Sequence, residues 1–228
     1  MAATLKWLGH SVIEIHTGGK TLLVDPYLKD NPMAAIRPED AYADYILITH
    51  GHYDHVGDTV SIAKRTGATV IANPEISAWC VRQGLKTQPL HFGTAVDFPF
   101  GSVKLTEAVH TSNLPDGTNG GNASGFIITT LEGKKIYLAG DTGFFEGMKA
   151  IGAESIDFAA IPIGGYYTMD SDQALSAVKT IQPKLVIPIH FNTFDKIKQD
   201  PEKWAARVRA ETSSKVVVLK PGESLEIE

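Results

Sequence analysis

The apolar run Tyr45-Ile46-Leu47-Ile48 leads directly into Thr49-His50-Gly51-His52-Tyr53-Asp54-His55, which holds three histidines and a carboxylate within six residues. Polar groups at the end of a buried strand need partners, and this set reads as a metal-binding loop. In an extended chain alternate side chains share a side, so His50 and His52 can hold one ion, while Asp54 and His55 fall on the following turn. Two first-row ions can therefore sit side by side. Imidazole and carboxylate suit Zn, Mn, Fe or Ni, and the lack of thiolates speaks against a closed structural zinc site. Thr49 is expected to support the loop rather than to ligate. An open coordination position, and hence catalysis, is the expectation.

The surrounding pattern alternates strands and helices. Ser11 to Asp25 reads as strand, Gly18-Gly19-Lys20 turn, strand and Asp; Gly125 to Asp141 repeats that layout around Glu132-Gly133-Lys134-Lys135. The repeat suggests two similar halves, each with a hairpin feeding a core. Asp58 to Arg65 and Pro74 to Val81 read as helices around a short buried strand at Ala68 to Ala72. Asp170 followed by Gln173 resembles the cap of a helix through Ile181, and Lys184 to Ile189 forms a further buried strand. A helix over Pro201 to Ala210 and strands over Lys215 to Leu219 and Ser224 to Ile227 close the chain.

Three more metal-ligating types share one context. His110 follows the strand Val103 to Val109, Asp141 follows Ile136 to Ala139, and His190 follows Leu185 to Ile189. Several strands delivering such residues to one sheet edge point to a single site. The order His50-x-His52-x-Asp54-His55, His110, Asp141, His190 resembles the metallo-β-lactamase superfamily over nearly the whole chain. Gly9-His10-Ser11, Leu23-Val24-Asp25-Pro26 and Gly140-Asp141-Thr142 resemble its UPF0173 and ascorbate-6-phosphate lactonase-like metal-dependent hydrolases. The resemblance implies an α/β (α+β) four-layer αββα sandwich with a dinuclear site on one edge of the paired sheets. It further implies that His50, His52 and His110 hold a first metal, that Asp54, His55 and His190 hold a second, and that Asp141 bridges them. Zinc is the first expectation for both ions, with Mn, Ni or Fe compatible.

The function that follows is a metal-dependent hydrolase in which a hydroxide shared by two divalent ions attacks a small ester, lactone or phosphoester. Asp54 is the expected catalytic residue, orienting that hydroxide and collecting its proton. Asp25 either hydrogen-bonds the free nitrogen of a ligating histidine or forms an Asp-Pro turn. His10 either reaches the pocket to contact substrate or packs within the fold. Substrate choice is placed in the 112–122 and 164–169 loops, with Asn113, Tyr166 and Tyr167 as contacts, and the longer stretch Thr111 to Ser124 is either a binding loop or a plain excursion. Neither substrate loop carries an arginine cluster, which favours a neutral substrate over a phosphorylated one. Two alternatives remain at this stage: a mononuclear-iron oxidoreductase of the persulfide dioxygenase kind, and a metal-dependent binding protein without turnover.

Composition sets the outer bounds. A chain of 228 residues with 43% hydrophobic content fits one domain over residues 1–228. A net charge of −5 without blocks of like charge gives little reason to expect a nucleic-acid or anionic-membrane partner, leaving a small-molecule substrate and an open question of homo-oligomers. No leader pattern or membrane-length apolar run is visible, so a cytoplasmic location is expected. The single Cys80 lies between Trp79 and Val81 and is expected to be buried and inert, and His16 and His91 carry no role.

Overall fold

The computed structural model describes residues 3–227. Six strands, β1 (Ala3–Gly9), β2 (Val12–Thr17), β3 (Lys20–Val24), β4 (Tyr45–Leu47), β5 (Thr69–Ala72) and β6 (Lys86–Pro89), lie side by side in chain order in a first sheet. The second sheet takes β7 (Val96–Phe98), β8 (Gly101–Glu107), β9 (Ser124–Thr130), β10 (Lys135–Leu138), β11 (Phe158–Pro162), β12 (Leu185–Ile189) and β13 (Lys215–Val216), also in chain order. The final strand, β14 (Ser224–Ile227), returns to the first sheet and pairs antiparallel with β1. Six α-helices accompany them among the described residues: α1 (Tyr53–Val56), α2 (Thr59–Thr66), α3 (Pro74–Arg82), α4 (Met148–Gly152), α5 (Ser171–Ile181) and α6 (Pro201–Glu211). None is long and apolar enough to cross a membrane.

Period-two alternation assigns each strand face to a layer. In the first sheet Leu5, Trp7, Leu22, Val24, Leu47 and Ile71 turn inward against the second sheet. The intervening Leu23, Ile46, Ile48, Val70 and Ala72 turn outward, where Ile62 and Ala63 of α2 and Ile76 and Trp79 of α3 cover them. The central strands β11 and β12 are buried on both faces, as parallel strands between two layers require, and α5 and α6 supply Leu175, Val178, Trp204 and Val208 to the same core. The result is the expected αββα sandwich.

The two sheets repeat one pattern of pairing. Along β1 to β6 the neighbours run antiparallel, antiparallel, then parallel three times; along β8 to β13 the sequence is identical. This places His10, after β1, in the position that His110 holds after β8. Asp25, after β3, matches Asp141 after β10.

Some expected elements shift. The strand read through Val109 ends at Glu107, so His110 stands on a loop. The strand read through Leu219 stops at Val216, because the chain must leave the second sheet there to pair β14 with β1 in the first. Strands β1, β6 and β7 and helix α4 were not read from the sequence; β6 and β7 lie at sheet edges and are mostly exposed, so they lack a continuous apolar signature.

Helix α4 is tied to the sheet by Glu154, which accepts from Lys104 of β8 at 2.8 Å and from Lys135 of β10 at 2.6 Å. The Lys104 and then the Lys135 hydrogen bonds hold the Glu154 carboxyl down to about 2, against a usual 4.5. A depressed carboxyl pKa stabilises the fold above about 4.5 and loses that contribution as pH falls toward 2. Glu154→Gln is therefore expected to lower the melting temperature at pH 7 slightly, by the equivalent of about 1 kcal/mol or less. Melting curves of variant and parent should converge only as the pH falls below about 2.

Candidate metal centre

Every polar residue singled out at a strand end arrives at the same edge of the sandwich. The His50-Gly51-His52 turn follows β4 and leads into the single turn of α1, where Asp54 occupies the first turn and His55 is buried. Gly140 (φ 59°) makes the neighbouring approach possible, since a Cβ there would meet the Cβ of Thr49 at 2.8 Å, and it sets Asp141 beside the histidine turn. Of the seven non-glycine residues in the left-handed backbone region among the described residues, three belong to this cluster: His10 (φ 55°), Asp25 (φ 46°) and His190 (φ 53°). Such conformations persist where surrounding structure enforces them and cluster at functional sites. The two sheets are joined at this edge, because the His10 carbonyl accepts from Trp7 Nε1 at 2.9 Å and from the His190 amide at 3.0 Å.

The side chains form two adjoining groups. Ligand atoms of His50, His52 and His110 lie within 4.8 Å of one another, as do those of His10, Asp54, His55 and His190, and those of His50, His55 and Asp141. Asp141 stands between the groups. One of its oxygens, Oδ1, is 3.2 Å from His55 Nε2, and the other, Oδ2, is 3.1 Å from His190 Nε2 and 3.6 Å from His110 Nε2.

These close approaches are not ordinary hydrogen bonds. His55 Nε2, Asp141 Oδ1 and His190 Nε2 are buried without a hydrogen-bond partner among the described residues, a costly state unless something else satisfies them. Donor atoms around a tetrahedral zinc ion stand about 3.3 Å apart when each is about 2.05 Å from the metal. The spacings here, including 3.0 Å between His50 Nε2 and His52 Nδ1, are those of atoms aimed at a shared cation. Only nitrogen and oxygen donors are present, which fits first-row divalent ions.

Electrostatics support the same reading. Burial works against charge on His55, yet the Asp141 and Asp25 carboxylates on either side hold its pKa well above the usual imidazole value. Burial likewise opposes protonation of His190, and Asp141 nevertheless raises it to about 9. Burial disfavours ionisation of Asp141, but His190 and His55 hold it well below the carboxylate range. Burial also opposes ionisation of Asp54, while the hydrogen bond from His10 and the nearby His190 and His55 rings hold it strongly ionised. The carboxylates thus demand positive charge at the cluster's centre. By contrast, burial keeps His50 neutral, well below its usual value, as a ligand must be.

A supporting layer fixes the histidines. Asp25 Oδ2 accepts from His55 Nδ1 at 2.8 Å and from the Thr49 hydroxyl at 2.7 Å, and Asp25 Oδ1 accepts from the Thr49 amide at 2.8 Å. Thr49 Oγ1 also stands 3.1 Å from His50 Nδ1. Of the two roles open to Asp25, the structure places it on the free nitrogen of a ligating-type histidine. Thr111 Oγ1, 3.2 Å from His52 Nε2, does the same for the exposed ring.

A cavity of about 500 Å³ opens directly onto the cluster, reaching His52, Asp54, His110 and Asp141 at its floor. Its walls hold Tyr53, Thr111, Tyr167, Phe194, Asp195 and Lys196. Tyr167 is thus placed where a substrate contact was expected. Tyr166 stands behind it, with ring centroids 4.6 Å apart, and reaches the site only through Lys196.

One expectation is corrected. His10 is fully buried, with Nδ1 at 2.8 Å from Thr193 Oγ1 and Nε2 at 3.2 Å from Asp54 Oδ2, so it faces the back of Asp54 and has no surface for substrate. Asn113 is exposed and lines an adjoining hollow that also reaches His110 and Thr111, and the 111–124 loop is pinned against the histidine turn. Ser112 Oγ accepts from the Gly51 amide at 3.0 Å and donates to the Gly120 carbonyl at 3.1 Å, and Ser124 Oγ donates to the Thr49 carbonyl at 2.8 Å.

Tyr53, Thr111, Phe194 and Lys196 were not read from the sequence as site residues. Each lies within six positions of a metal-ligating type, so the segments just after His52, His110 and His190 carried the available signal. Cys80 is buried away from the site, and burial pushes its thiol up to about 12. Folded protein is accordingly expected to resist a thiol-modifying disulfide reagent at pH 8, with full reaction only after denaturation, and Cys80→Ser should leave activity unchanged.

Residues 20–191 match the sequence profile of the Beta-lactamase superfamily domain, the class that this sandwich and its edge site define. A UPF0173 metal-dependent hydrolase of Geobacillus sp. (strain WCH70) is 46% identical over 224 residues, covering 96% of this chain and 97% of its own. The chain belongs to the UPF0173 metal-dependent hydrolase family. Among solved structures, the metallo hydrolase Igni18 from Ignicoccus hospitalis superposes with a TM-score of 0.93 at 34% identity, covering 100% of this chain and 99% of that one. A diiron β-hydroxylase, CmlA from Streptomyces venezuelae, matches in fold alone, with a TM-score of 0.76 at 16% identity over 99% of this chain and 54% of that one. One fold thus hosts different reactions, and the site must decide between them.

Proposed function

We propose that this chain hydrolyses a small ester or lactone at two divalent metal ions. The observation that carries the reading is the placement of the Asp141 carboxylate between two convergent ligand groups, at the floor of an open cavity. His50, His52 and His110 would hold one ion and Asp54, His55 and His190 the other, with Asp141 shared. When bound, such ions lower the pKa of water toward neutrality and polarise a carbonyl oxygen.

The chain's own residues then have separable tasks. Asp54 lines the cavity, so its carboxylate can orient the attacking group. Asp25 fixes the tautomer of His55 so that Nε2 faces the cluster. His10 anchors Oδ2 of Asp54 from behind, and Thr193 anchors His10. Tyr53, Tyr167 and Phe194 present aromatic surface against which the organic part of a substrate can pack.

Elemental analysis of protein purified without chelator, followed by assays on chromogenic lactones, esters and phosphodiesters, tests this reading. Two ions per chain with chelator-sensitive hydrolysis is the expected result. One iron per chain with oxygen consumption would replace it by an oxidoreductase. Dialysis against chelator is expected to abolish turnover and to lower the melting temperature, since a ligand bound only by the folded state stabilises it.

A further inference from the structure

The mouth of the cavity carries one lysine whose placement the metal chemistry does not explain. Lys196 lies six residues beyond His190 and lines the same cavity as the cluster. Its Nζ donates to Tyr166 Oη at 3.0 Å and stands 4.4 Å from the centre of the Tyr166 ring. A cation held by a hydrogen bond and a ring face is oriented without being neutralised. The adjacent carboxylate that could neutralise it, Asp195, is drawn to Lys198 at 2.7 Å, and no carboxylate pairs with Lys196 among the described residues.

Apart from Asp195, whose carboxylate is taken by Lys198, the rest of the wall is uncharged and mostly aromatic. Tyr53 is 59% exposed and Tyr167 47% exposed, and Phe194 packs against the buried His10 ring at 5.5 Å. Exposed rings around a polar floor, with one unpaired ammonium beyond them, describe a two-part recognition surface. We propose that Lys196 is the anion-recognition residue of this site, and that the substrate is an ester or lactone with an apolar, aromatic-compatible body ending in a carboxylate remote from the bond broken. A phosphate tail fits less well: phosphate sites gather several donors or bidentate arginines, whereas this one offers a single ammonium beside the acidic Asp195. The neutral substrate favoured by the lack of basic residues in the 112–122 and 164–169 loops is therefore revised, since the cation arrives from a third segment.

The inference rests on the hydrolase reading for where the reacting carbonyl sits, but the lysine's role can be read from binding alone. The test uses the metal-loaded protein and calorimetric dissociation constants for paired ligands: terephthalate and its monomethyl ester, and straight-chain dicarboxylates of four to eight carbons with their monomethyl esters. One carboxylate of each occupies the metal floor, and only the diacid offers a second charge to Lys196. The parent protein is expected to bind the best-fitting diacid about tenfold more tightly than its half-ester at low salt, with the preference shrinking as ionic strength rises.

Lys196→Met should abolish the preference while leaving half-ester affinity unchanged. Lys203→Met, which removes the same charge elsewhere on the surface, should retain it. Equal affinity for diacid and half-ester at every length in the parent, or a preference that survives in Lys196→Met, would overturn the proposal. Failure of the parent to hydrolyse any ester or lactone, alongside a Lys196-dependent preference, would defeat the hydrolase reading and leave the anion subsite standing. Hydrolysis of neutral and carboxylate-tailed esters with the same kcat/KM, and no binding preference, would do the reverse.

Discussion

Asp141→Ala is expected to lower kcat/KM by more than about a hundredfold, beyond the effect of losing a hydrogen bond behind a metal ligand, and to reduce metal content below two ions per chain. The reason lies in its two oxygens, which face His55 on one side and His190 and His110 on the other. On the proposed two-ion reading, removing the carboxylate deletes the shared ligand, and it leaves His55 and His190 without their principal counter-charge. Burial then dominates these rings, and both histidines should titrate at lower pH than in the parent protein. The checks are elemental analysis, steady-state kinetics under saturating metal, and histidine titration by NMR on chelator-treated protein. Full activity with two ions retained would remove Asp141 from the mechanism.

Asp25→Ala is expected to produce the second largest effect, on stability and metal affinity together. Three donors, the Thr49 amide, the Thr49 hydroxyl and His55 Nδ1, converge on one carboxylate that is 1% exposed. Stripping a buried carboxylate from a charged partner costs about 3–5 kcal/mol, and losing the group that orients a ligating histidine weakens metal binding about 10–100-fold. The melting temperature should therefore fall sharply in chelator-treated protein, and the metal dissociation constant should rise in protein that still folds. Asp25→Asn separates the two: the amide oxygen can still accept from Thr49, preserving much of the stability, but its NH2 opposes the His55 N–H, so metal affinity should remain impaired. An unchanged metal affinity in both variants would reduce Asp25 to a turn residue.

The equivalence between the two sheets bears on both predictions. Asp25 and Asp141 end corresponding strands, β3 and β10, and both face the ring of His55, from Nδ1 and Nε2 respectively. His10 and His110 follow the corresponding strands β1 and β8, yet one is sealed behind Asp54 and the other stands at the cavity floor. Matching positions in the two halves thus stand differently: those of the first half hydrogen-bond cluster residues from within the fold, and those of the second line the cavity floor.

Much of this was legible in the sequence because it depends on local chemistry. The alternation of Leu22, Leu23 and Val24, or of Ile46, Leu47 and Ile48, assigns faces to strands through the two-residue repeat alone. The metal-ligating types were visible for a related reason: a polar residue just past an apolar run falls at a sheet edge wherever that sheet comes to lie. Even Asp25 could be suspected, since it closes a hairpin strand next to the histidine turn. Edge strands were missed or overextended where exposure replaces burial, as at β6 and β7, which carry no continuous apolar signature, and at β13, which is shorter than its apolar run.

What remained hidden depends on contacts between segments far apart in the chain. His10 and Thr193 are separated by 183 positions, and no periodicity indicates that the left-handed turn after β1 points the His10 ring at the back of Asp54 rather than into the pocket. Lys196 stands in an exposed segment with no repeating pattern, and only the meeting of the 164–169 and 191–199 segments above the cluster places its ammonium on Tyr166. Strand faces, metal-ligating residue types and their arrival at one sheet edge follow from residue order, because spacing and solubility act locally. The tertiary structure alone decided which ligands converge, which histidine is sealed away and where the single cation meets the cavity, because those follow from how two sheets stack, a relation that no single segment contains.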